Sequence, residues 1–569
     1  MTAVHSRDSY DAIVVGSGMT GGWAAKELCE KGLRTLVIER GRSVEHITDY
    51  VTEHKRAWEL PLRGNVPVEE AEREYAVGKD VYLFDQSTKH FFINDRRNPY
   101  VAKRPFRWIR GDQVGGRSLL WARQCYRWGE MDFEANLKDG HGVDWPIRYA
   151  DIAPWYDYVE AFVGISGEKL GLPQLPDGVF QKPMEMTAME KHAREAIERS
   201  FPGRTMTIGR SAVLTEPQNG RAACHYCGTC ERGCSSASYF SSVGVTLPAA
   251  QATGNLTMRP DTLVHSLLYD EEKDRVTGVR VVDVHTGAVS EVLGGLVFLC
   301  ASTLASTQIM LNTRTPRFPD GIANGSGELG HNLMDHHMGV HGYAWSDDFD
   351  DRYYSGIRPN GIYIPRFRNL DAASSTDKFV RGYAYQGSSH RMGWSRANYQ
   401  PGIGGELKER LRNPGPWEMN LWGYGECLPD HDNRVYLSDE TDEWGLPILV
   451  IDSDWGPNER AMRAEMVSSG VEMLEACGFR DIRVEDNLDS NPQGFAIHEM
   501  GTARMGRDPR TSVLNGWNRA HEVPNLFVTD GACMTSSAVQ NPSITYMALT
   551  ARAVDHAVTA LKRGDLSLS

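Results

Sequence analysis

The chain has 569 residues, of which 61 are Lys or Arg and 75 are Asp or Glu, so its formal net charge is −14 at pH 7. This acidic balance argues against a nucleic-acid partner and against binding to an anionic membrane surface. No run of 18 apolar residues occurs, so no membrane span is expected, and the polar residues 1–9 are too short for a secretion signal. The length predicts two large lobes, and composition alone favours a cytoplasmic protein.

Residues 10–41 predict a strand, a glycine turn, a helix and a second strand. The turn is a G-x-G-x-x-G motif directly after the apolar run AIVVG, so its backbone can approach a pyrophosphate at the positive end of the helix. The second strand ends at Glu39, an acid suited to ribose hydroxyls. This segment alone does not distinguish FAD from NAD. Its predicted dinucleotide contacts are Gly16, Gly18, Met19, Thr20, Gly21, Glu39 and Arg40.

Three later segments also have the pattern of a nucleotide fold. Residues 110–121 contain a second glycine turn, residues 297–307 a strand followed by small residues, and the C-terminal segment a strand, an Asp-Gly pair and a helix. A long dinucleotide held along its full length requires such repeated contacts, which favours FAD. The contacts predicted in these segments are Gly115, Gly116, Ser118, Ala301, Asp530, Gly531, Asn541 and Pro542.

Four cysteines, Cys224, Cys227, Cys230 and Cys234, lie within the eleven-residue stretch CHYCGTCERGC. The spacing C-x2-C-x2-C-x3-C is close to that of bacterial ferredoxins and predicts an iron–sulfur cluster bound by these thiolates. Ser235 stands where such runs usually carry proline, and no second run is present. Structural zinc and disulfides or inert thiols remain open as alternatives.

Between residues 341 and 489, short apolar strands alternate with polar turns, as in an antiparallel sheet with one wet face. The predicted fold class is therefore α/β plus α+β, with a Rossmann-like FAD-binding lobe and a substrate lobe built on an antiparallel sheet. The first lobe is assigned to residues 1–45, 105–130, 215–340 (including the iron–sulfur segment 224–234) and 490–569. The substrate lobe and its cap segments are assigned to residues 46–104, 131–214 and 341–489.

Five motifs together resemble the glucose–methanol–choline (GMC) flavoprotein oxidoreductases. They are GSGMTGG near the N-terminus, the internal GGRS, GHNLMDHH at 330–337, HEMGTARMG at 498–506 and VTDGACMTSSAVQNPSIT near the C-terminus. The cysteine stretch and the segment at 139–160 resemble bacterial sugar dehydrogenases of this family, in particular the catalytic subunits of glucoside 3-dehydrogenases. The resemblance implies the two-lobe GMC fold and oxidation of a ring hydroxyl of a glucoside or related pyranose, expected at C3, to a ketone.

The resemblance also implies the reacting centre. Oxidation of an alcohol by a flavin needs a base for the hydroxyl proton and the flavin N5 for the hydride. His498 matches the catalytic histidine of the family, and Asn541 matches its partner, whose amide can donate to the substrate oxygen. His336 and His337 are predicted to pack and position groups near the flavin.

Other positions refine the expected site. Some relatives carry a histidine two residues after the serine of their G-G-x-S segment that is covalently linked to the flavin. Here Ser118 is followed by Leu119 and Leu120, so FAD is expected to bind non-covalently. Sugars stack on aromatic faces and need polar partners, and the residues predicted to line the sugar pocket are Trp121, Gln124 and Glu426.

For electron exit, the resemblance implies a three-iron cluster (3Fe-4S) on Cys224, Cys230 and Cys234, with Cys227 as a surplus residue or as the fourth ligand of a 4Fe-4S cluster. It also implies a small export subunit, a c-type cytochrome acceptor and a periplasmic location reached as a passenger of the folded complex. One alternative is a related dehydrogenase or oxidase of a free sugar, polyol or other alcohol. Another is an electron-transfer subunit without its own substrate.

Overall fold

The computed structural model describes residues 4–398, 400–487 and 490–568. Within this part, the helices are α1 (Met19–Glu30), α2 (Val68–Glu74), α3 (Glu130–Phe133), α4 (Ala135–Asp139), α5 (Tyr149–Val163), α6 (Ala188–Ser200), α7 (Leu247–Ala252), α8 (Thr303–Asn312), α9 (Gly404–Leu411), α10 (Pro457–Ala476) and α11 (Ser543–Arg563). The strands are β1 (Val4–Val15), β2 (Thr35–Ile38), β3 (Val101–Ala102), β4 (Ile165–Ser166), β5 (Phe180–Gln181), β6 (Thr207–Ile208), β7 (Leu256–Arg259), β8 (Thr262–Asp270), β9 (Arg275–Asp283), β10 (Val289–Leu299), β11 (His337–Ser346), β12 (Ile362–Ile364), β13 (Tyr383–Arg391), β14 (Trp417–Gly425), β15 (Arg434–Thr441), β16 (Pro447–Asp452), β17 (Arg480–Asp486) and β18 (Leu526–Val528).

The first lobe is built on a sheet with the order β7-β2-β1-β10-β9-β8, in which β18 pairs with β10. β1 is parallel to β2 and β10, whereas β8 and β9 form an antiparallel hairpin. The side chains of residues 12–15 in β1 are almost fully buried, because a parallel strand is covered on both faces. This arrangement confirms the Rossmann-like lobe.

Helix α1 joins β1 to β2 and packs against α7 and α11. The helix can lie this close to the strand end because Gly21 has no side chain. A Cβ at Gly21 would lie 1.9 Å from the carbonyl oxygen of Gly16. The N-terminus of α1 therefore remains next to the end of β1, where phosphates bind in such folds.

The second lobe is built on an antiparallel sheet with the order β17-β11-β14-β13-β12-β6. Burial alternates along β14: Met419 and Leu421 pack in the core beneath α10, while Asn420 and Trp422 point to the opposite face. The period of two leaves that second face free to line a site. The α/β plus α+β fold class predicted from the sequence is confirmed.

The predicted domain boundaries remain a prediction. Strand β11 begins at His337, before the proposed boundary at residue 341, and β6 joins the substrate-lobe sheet from within the segment 131–214. Residues 1–3, 399, 488–489 and 569 belong to the proposed ranges but lie outside the described residues. Across the described ranges, no helix is both long enough and apolar enough to cross a membrane.

Candidate active site

A cavity of about 1360 Å³ lies between the two sheets. Sites for single small molecules are typically about 300–1,000 Å³, so this cavity has room for a dinucleotide together with a substrate. Most of the cofactor contacts predicted from the sequence line it: Gly16, Gly18, Met19, Thr20, Glu39, Arg40, Gly116, Ser118, Ala301, Asp530, Gly531, Asn541 and Pro542.

Two predicted contacts, Gly21 and Gly115, do not line the cavity. A Cβ at Gly115 would lie 2.5 Å from the side chain of Val243, and the residue has a φ of +93°. Gly21 allows the approach of α1 to the end of β1 described above. Both glycines therefore shape the cofactor site through backbone packing, which corrects the expectation that they contact the cofactor.

The first glycine turn forms a cradle that a side chain would fill. Gly16 has a φ of +93°, and a Cβ there would lie 2.5 Å from the carbonyl oxygen of Cys300. Gly18 directly precedes α1 and no side chain caps this helix end. The open N–H groups of the first turn of α1 therefore border the cavity and suit a pyrophosphate.

Glu39 connects the two glycine turns. Its carboxylate accepts hydrogen bonds from the Ser17 hydroxyl at 2.6 Å and from the Gly41 backbone N–H at 3.0 Å. The same hydroxyl accepts from the backbone N–H of Gly115 at 2.9 Å. Burial raises the pKa of the Glu39 carboxyl. Glu39 is thereby held at the cavity wall, where an acid suits ribose hydroxyls.

Asp530 and Gly531 form the far end of the cofactor wall. Asp530 accepts a hydrogen bond from the Ser306 hydroxyl at 2.5 Å, and burial raises its pKa to about 6. A Cβ at Gly531 would lie 2.4 Å from the carbonyl oxygen of Glu499. Gly531 therefore packs closely against Glu499. Because Glu499 follows His498 in the chain, this packing joins the cofactor wall to the predicted base.

His498 and Asn541 lie side by side in the cavity wall, with Asn541 Nδ2 3.3 Å from His498 Nε2. The backbone under His498 is held by Asp335, which accepts from the N–H of His498 at 3.0 Å and from that of Gly494 at 2.7 Å. Burial lowers the pKa of His498 well below its usual value, and the nearby His336 lowers it further. The ring is therefore neutral, as a proton acceptor must be.

Two further side chains contact this pair. His336 Nδ1 lies 2.8 Å from His498 Nδ1, and the Gln386 amide donates to Asn541 Oδ1 at 2.5 Å. His337 lies apart from them beside Trp455, with 5.9 Å between the ring centroids. No sequence motif pointed to Gln386, because it lies on β13, 155 residues from Asn541 in the chain.

Two of the three predicted sugar contacts line the cavity: Trp121 and Gln124. Glu426 does not, which corrects that expectation. It lies buried just after β14 in an ion pair with Arg381 at 2.7 Å, and Arg381 also pairs with Asp139 of α4. An acid at such a strand end looks the same in sequence whether it faces a ligand or an arginine.

Three cavity-lining residues that the sequence did not single out carry buried polar atoms. Within the described part of the chain, His341 Nε2, Trp422 Nε1 and Asn360 Oδ1 are buried without a hydrogen-bond partner. The rings of His341 and Trp422 stack with 4.8 Å between their centroids. Buried polar atoms are normally satisfied, and the residues that carry these three line the cavity.

The four clustered cysteines do not form a ligand set in the structure. Cys227 is exposed, Cys230 is buried, and Cys224 and Cys234 are half-buried free thiols. Among residues 4–398, 400–487 and 490–568, no three or more His, Cys, Asp and Glu side chains are grouped as a metal ion requires. Burial raises the pKa of Cys230 to about 12. This arrangement does not fit the iron–sulfur cluster predicted from the spacing.

Comparison with known proteins identifies the family. Models of GMC oxidoreductases match residues 10–338 and residues 429–550. The chain belongs to the GMC oxidoreductase family. Its cofactor is therefore expected to be FAD, and the long cavity, the open helix end and the glycine cradle fit that cofactor. When bound, FAD supplies the hydride acceptor.

Characterised GMC relatives act on different alcohols. The chain is 26% identical to a 2-methyl-1,2-propanediol dehydrogenase of Mycolicibacterium austroafricanum, over 97% of this chain and 95% of the relative. It is also 26% identical to the fructose dehydrogenase large subunit of Gluconobacter japonicus, over 98% of this chain and 99% of the relative. The pyridoxine 4-oxidase from Mesorbium loti has the same fold, with a TM-score of 0.58, 18% identity and coverage of 96% of this chain and 98% of the other. These relatives support an oxidoreductase acting on CH–OH groups.

Proposed function

We propose that this chain is an FAD-dependent dehydrogenase that oxidises a ring hydroxyl of a glucoside or related pyranose, at C3, to a ketone and passes the electrons to an external acceptor. The observation that carries this proposal is the His498–Asn541 pair in the wall of the cavity. A protein that only relayed electrons would need no base beside a substrate cavity, so the pair also argues against an electron-transfer subunit.

We assign one step of the proposed reaction to each side chain of the pair. The substrate hydroxyl gives its proton to His498 Nε2, while the Asn541 amide donates a hydrogen bond to the same oxygen. FAD, when bound, would accept the hydride of that carbon with its two electrons, and a carbonyl would remain. The neutral state of His498 makes the ring ready to accept that proton.

A sugar substrate is supported by the polarity of the cavity wall. His341, Trp422 and Asn360 line the cavity with side chains that can form hydrogen bonds, and Trp121 supplies an aromatic face. A pyranose has several hydroxyl groups that can satisfy such atoms and an apolar face that can stack on a ring. A simple aliphatic alcohol would leave most of them unpaired.

The second candidate is a GMC dehydrogenase or oxidase of a free sugar, a polyol or another alcohol. It is favoured by the relatives, of which one acts on fructose and another on a short diol. An anaerobic absorption spectrum, recorded before and after addition of methyl glucoside, glucose, fructose or 2-methyl-1,2-propanediol, separates the two. Flavin bleaching by the glucoside with a 3-keto product supports the first proposal, whereas bleaching by another alcohol alone supports the second. Rapid reoxidation by air favours an oxidase.

Replacement of the base tests the mechanism. We expect His498→Ala to lower the rate of flavin reduction by about 10²–10⁴-fold, the usual contribution of a general base. His285→Ala, in an exposed turn after β9, is the matched control and should leave the rate unchanged. Full turnover of His498→Ala with an artificial acceptor would instead indicate an electron-transfer subunit.

The route by which electrons leave the cofactor needs a separate test. The iron–sulfur hypothesis rests on the spacing of Cys224, Cys227, Cys230 and Cys234, and no step is assigned to a cluster because their arrangement does not fit one. Iron analysis and electron paramagnetic resonance of anaerobically purified protein test the hypothesis. Stoichiometric iron with a cluster signal would support 3Fe-4S or 4Fe-4S, and protein free of iron would remove the hypothesis.

Partners and location extend the same proposal. One relative is the large subunit of a fructose dehydrogenase, which supports an assembly with at least one further subunit. We propose that the partners are a small export subunit and a c-type cytochrome acceptor. Such an assembly would carry this chain to the periplasm. Co-purification of the untagged partners and fractionation of the native cells test this, and activity confined to the cytoplasm would exclude the periplasmic location.

A further inference from the structure

A continuous chain of hydrogen bonds passes through the ring of His498. The Gln386 amide donates to Asn541 Oδ1 at 2.5 Å, and Asn541 Nδ2 lies 3.3 Å from His498 Nε2. On the other side of the ring, His498 Nδ1 lies 2.8 Å from His336 Nδ1, and His336 Nε2 lies 3.0 Å from the carbonyl oxygen of Ala538. Each contact needs one donor and one acceptor, so the groups at the two ends of this hydrogen-bonded series determine where its hydrogens lie.

The carbonyl of Ala538, at one end of this hydrogen-bonded series, determines the tautomer of His336. A carbonyl oxygen only accepts, so the hydrogen of this contact lies on His336 Nε2. His336 is buried, with 1% of its surface exposed, and burial lowers its pKa to about 4. The ring is therefore neutral near pH 7, and its Nδ1 carries only a lone pair.

Because His336 Nδ1 can only accept, the hydrogen between the two rings must lie on His498 Nδ1. We propose that His336 is a positioning residue that fixes His498 in the Nδ1–H tautomer and so leaves Nε2, on the cavity side, as the atom that takes the substrate proton. This inference rests on the proposed alcohol oxidation and specifies how its base is held ready.

Gln386, at the other end of the hydrogen-bonded series, indicates the same tautomer of His498. Gln386 Nε2 donates to the oxygen of the Asn541 amide, so the nitrogen end of that amide faces His498. An amide N–H can only donate, and the group that it faces must accept. His498 Nε2 is therefore the unprotonated nitrogen, as the His336 side requires.

The charged groups around His498 do not compete for its ring nitrogens. Arg117 pairs with Glu499 at 2.9 Å, and Asp335 accepts from the backbone N–H of His498. A neutral imidazole such as His336 fixes the tautomer without adding negative charge. A carboxylate in its place would fix the same tautomer but would also raise the pKa of the base. A histidine at this position, rather than a carboxylate, is therefore compatible with the lowered pKa of His498.

Nitrogen NMR of the FAD-bound protein labelled with ¹⁵N-histidine tests the tautomer directly. The signals of His498 are identified by their loss in His498→Gln. We expect a hydrogen on Nδ1 and none on Nε2 in the native protein. A hydrogen on Nε2 would overturn the proposal, and this result requires no variant of His336 to fold.

Two replacements of His336 then test its role. His336→Asn places an amide oxygen where Nδ1 was and can still accept from His498, whereas His336→Leu fills the space without an acceptor. We expect the Nδ1–H tautomer to persist in the Asn variant and to become mixed in the Leu variant. An unmixed Nδ1–H tautomer in His336→Leu would overturn the role of His336.

Kinetics provide a second readout, with FAD content and melting temperature measured for every variant. We expect His336→Leu to lower kcat by about a hundredfold, within the usual range for a general base, with a KM change below about threefold. His336→Asn should recover kcat to within about tenfold of the native protein. Equal losses in the two variants would contradict the proposal. If no alcohol is oxidised at all, the proposed function fails, while the NMR result still decides the tautomer.

Discussion

His498 combines two requirements that normally oppose each other in one ring. The substrate side must be open and accept a proton, while the protein side must hold the ring still. The structure divides these tasks between the two ring nitrogens, with Asn541 near Nε2 and His336 near Nδ1. The backbone of the same residue is fixed by Asp335. Asn541 and His336 thus hold the ring, and Asp335 holds the backbone, before a substrate binds.

The lowered pKa of His498 predicts the pH dependence of the reaction. The base must be unprotonated, and burial together with His336 and Arg117 favours its neutral form. We therefore expect kcat/KM to stay level as the pH falls to about 6.5, the usual pKa of histidine, and to decline only below it. The measurement is kcat/KM as a function of pH with two different artificial acceptors. A change that is seen with both acceptors belongs to the enzyme and not to the titration of one acceptor. An acid limb with an apparent pKa of about 7 or above, seen with both acceptors, would contradict this expectation.

At the scale of elements, the junction of β1 and α1 is set by backbone approach rather than by side-chain contacts. Gly16 turns the chain with a φ of +93°, and Gly21 lets α1 lie against that turn. The glycines therefore form a motif in the sequence, although Gly21 does not line the cavity. In β14, by contrast, alternation decides which side chains face the site.

Gly21→Ala is expected to displace α1 and to reduce FAD binding. The added Cβ would meet a backbone oxygen at 1.9 Å, which no side-chain movement can relieve. A loss of about 1–3 kcal/mol in stability, typical of overpacking, is expected. Gly405→Ala in α9 is the control, since its Cβ would meet no atom within 4 Å and alanine favours a helix. FAD content and melting temperature measure both variants, and equal values for the two would refute this account.

At the scale of the whole molecule, a buried ion-pair network joins a cap segment to the sheet of the substrate lobe. Arg381 contacts Glu426 at 2.7 Å and Asp139 at 2.8 Å, and it also donates to Asn136 Oδ1 at 2.7 Å. Asn136 and Asp139 lie in the short helix α4, whereas Glu426 directly follows β14. The arginine therefore holds together segments that are more than 200 residues apart in the chain.

Arg381→Leu is expected to destabilise the protein by about 3–5 kcal/mol, because it leaves the buried carboxylate of Glu426 unpaired. The double variant Arg381→Leu with Glu426→Leu should recover part of this loss, since it removes both charges. Thermal unfolding of the FAD-bound protein measures the effect. Arg412→Leu, in an exposed pair with Glu409, is the control and should change stability by less than about 1 kcal/mol. A melting temperature of Arg381→Leu equal to that of this control would disprove the role of the network.

Several parts of the fold and site were accessible from sequence because they are local. The G-x-G-x-x-G turn, the buried run before it and the alternating strands each repeat a pattern within about ten residues. His498 and Asn541 were reached through motifs of the family. The cysteine stretch is also local, but the spacing of thiols along the chain does not determine whether they form a ligand set, and among the described residues no group suited to a metal ion is found.

The Rossmann-like lobe and the antiparallel substrate sheet could be predicted from the sequence, because periodicity and glycine motifs depend on neighbours along the chain, and the candidate base was reached through family motifs. The pairing of Glu426 with Arg381 and the contacts of Gln386 with Asn541 and of His336 with His498 became visible only in the folded structure. These contacts join residues that lie 45, 155 and 162 positions apart. A hydrogen bond depends on distance and direction in space, and folding alone brings such distant side chains together.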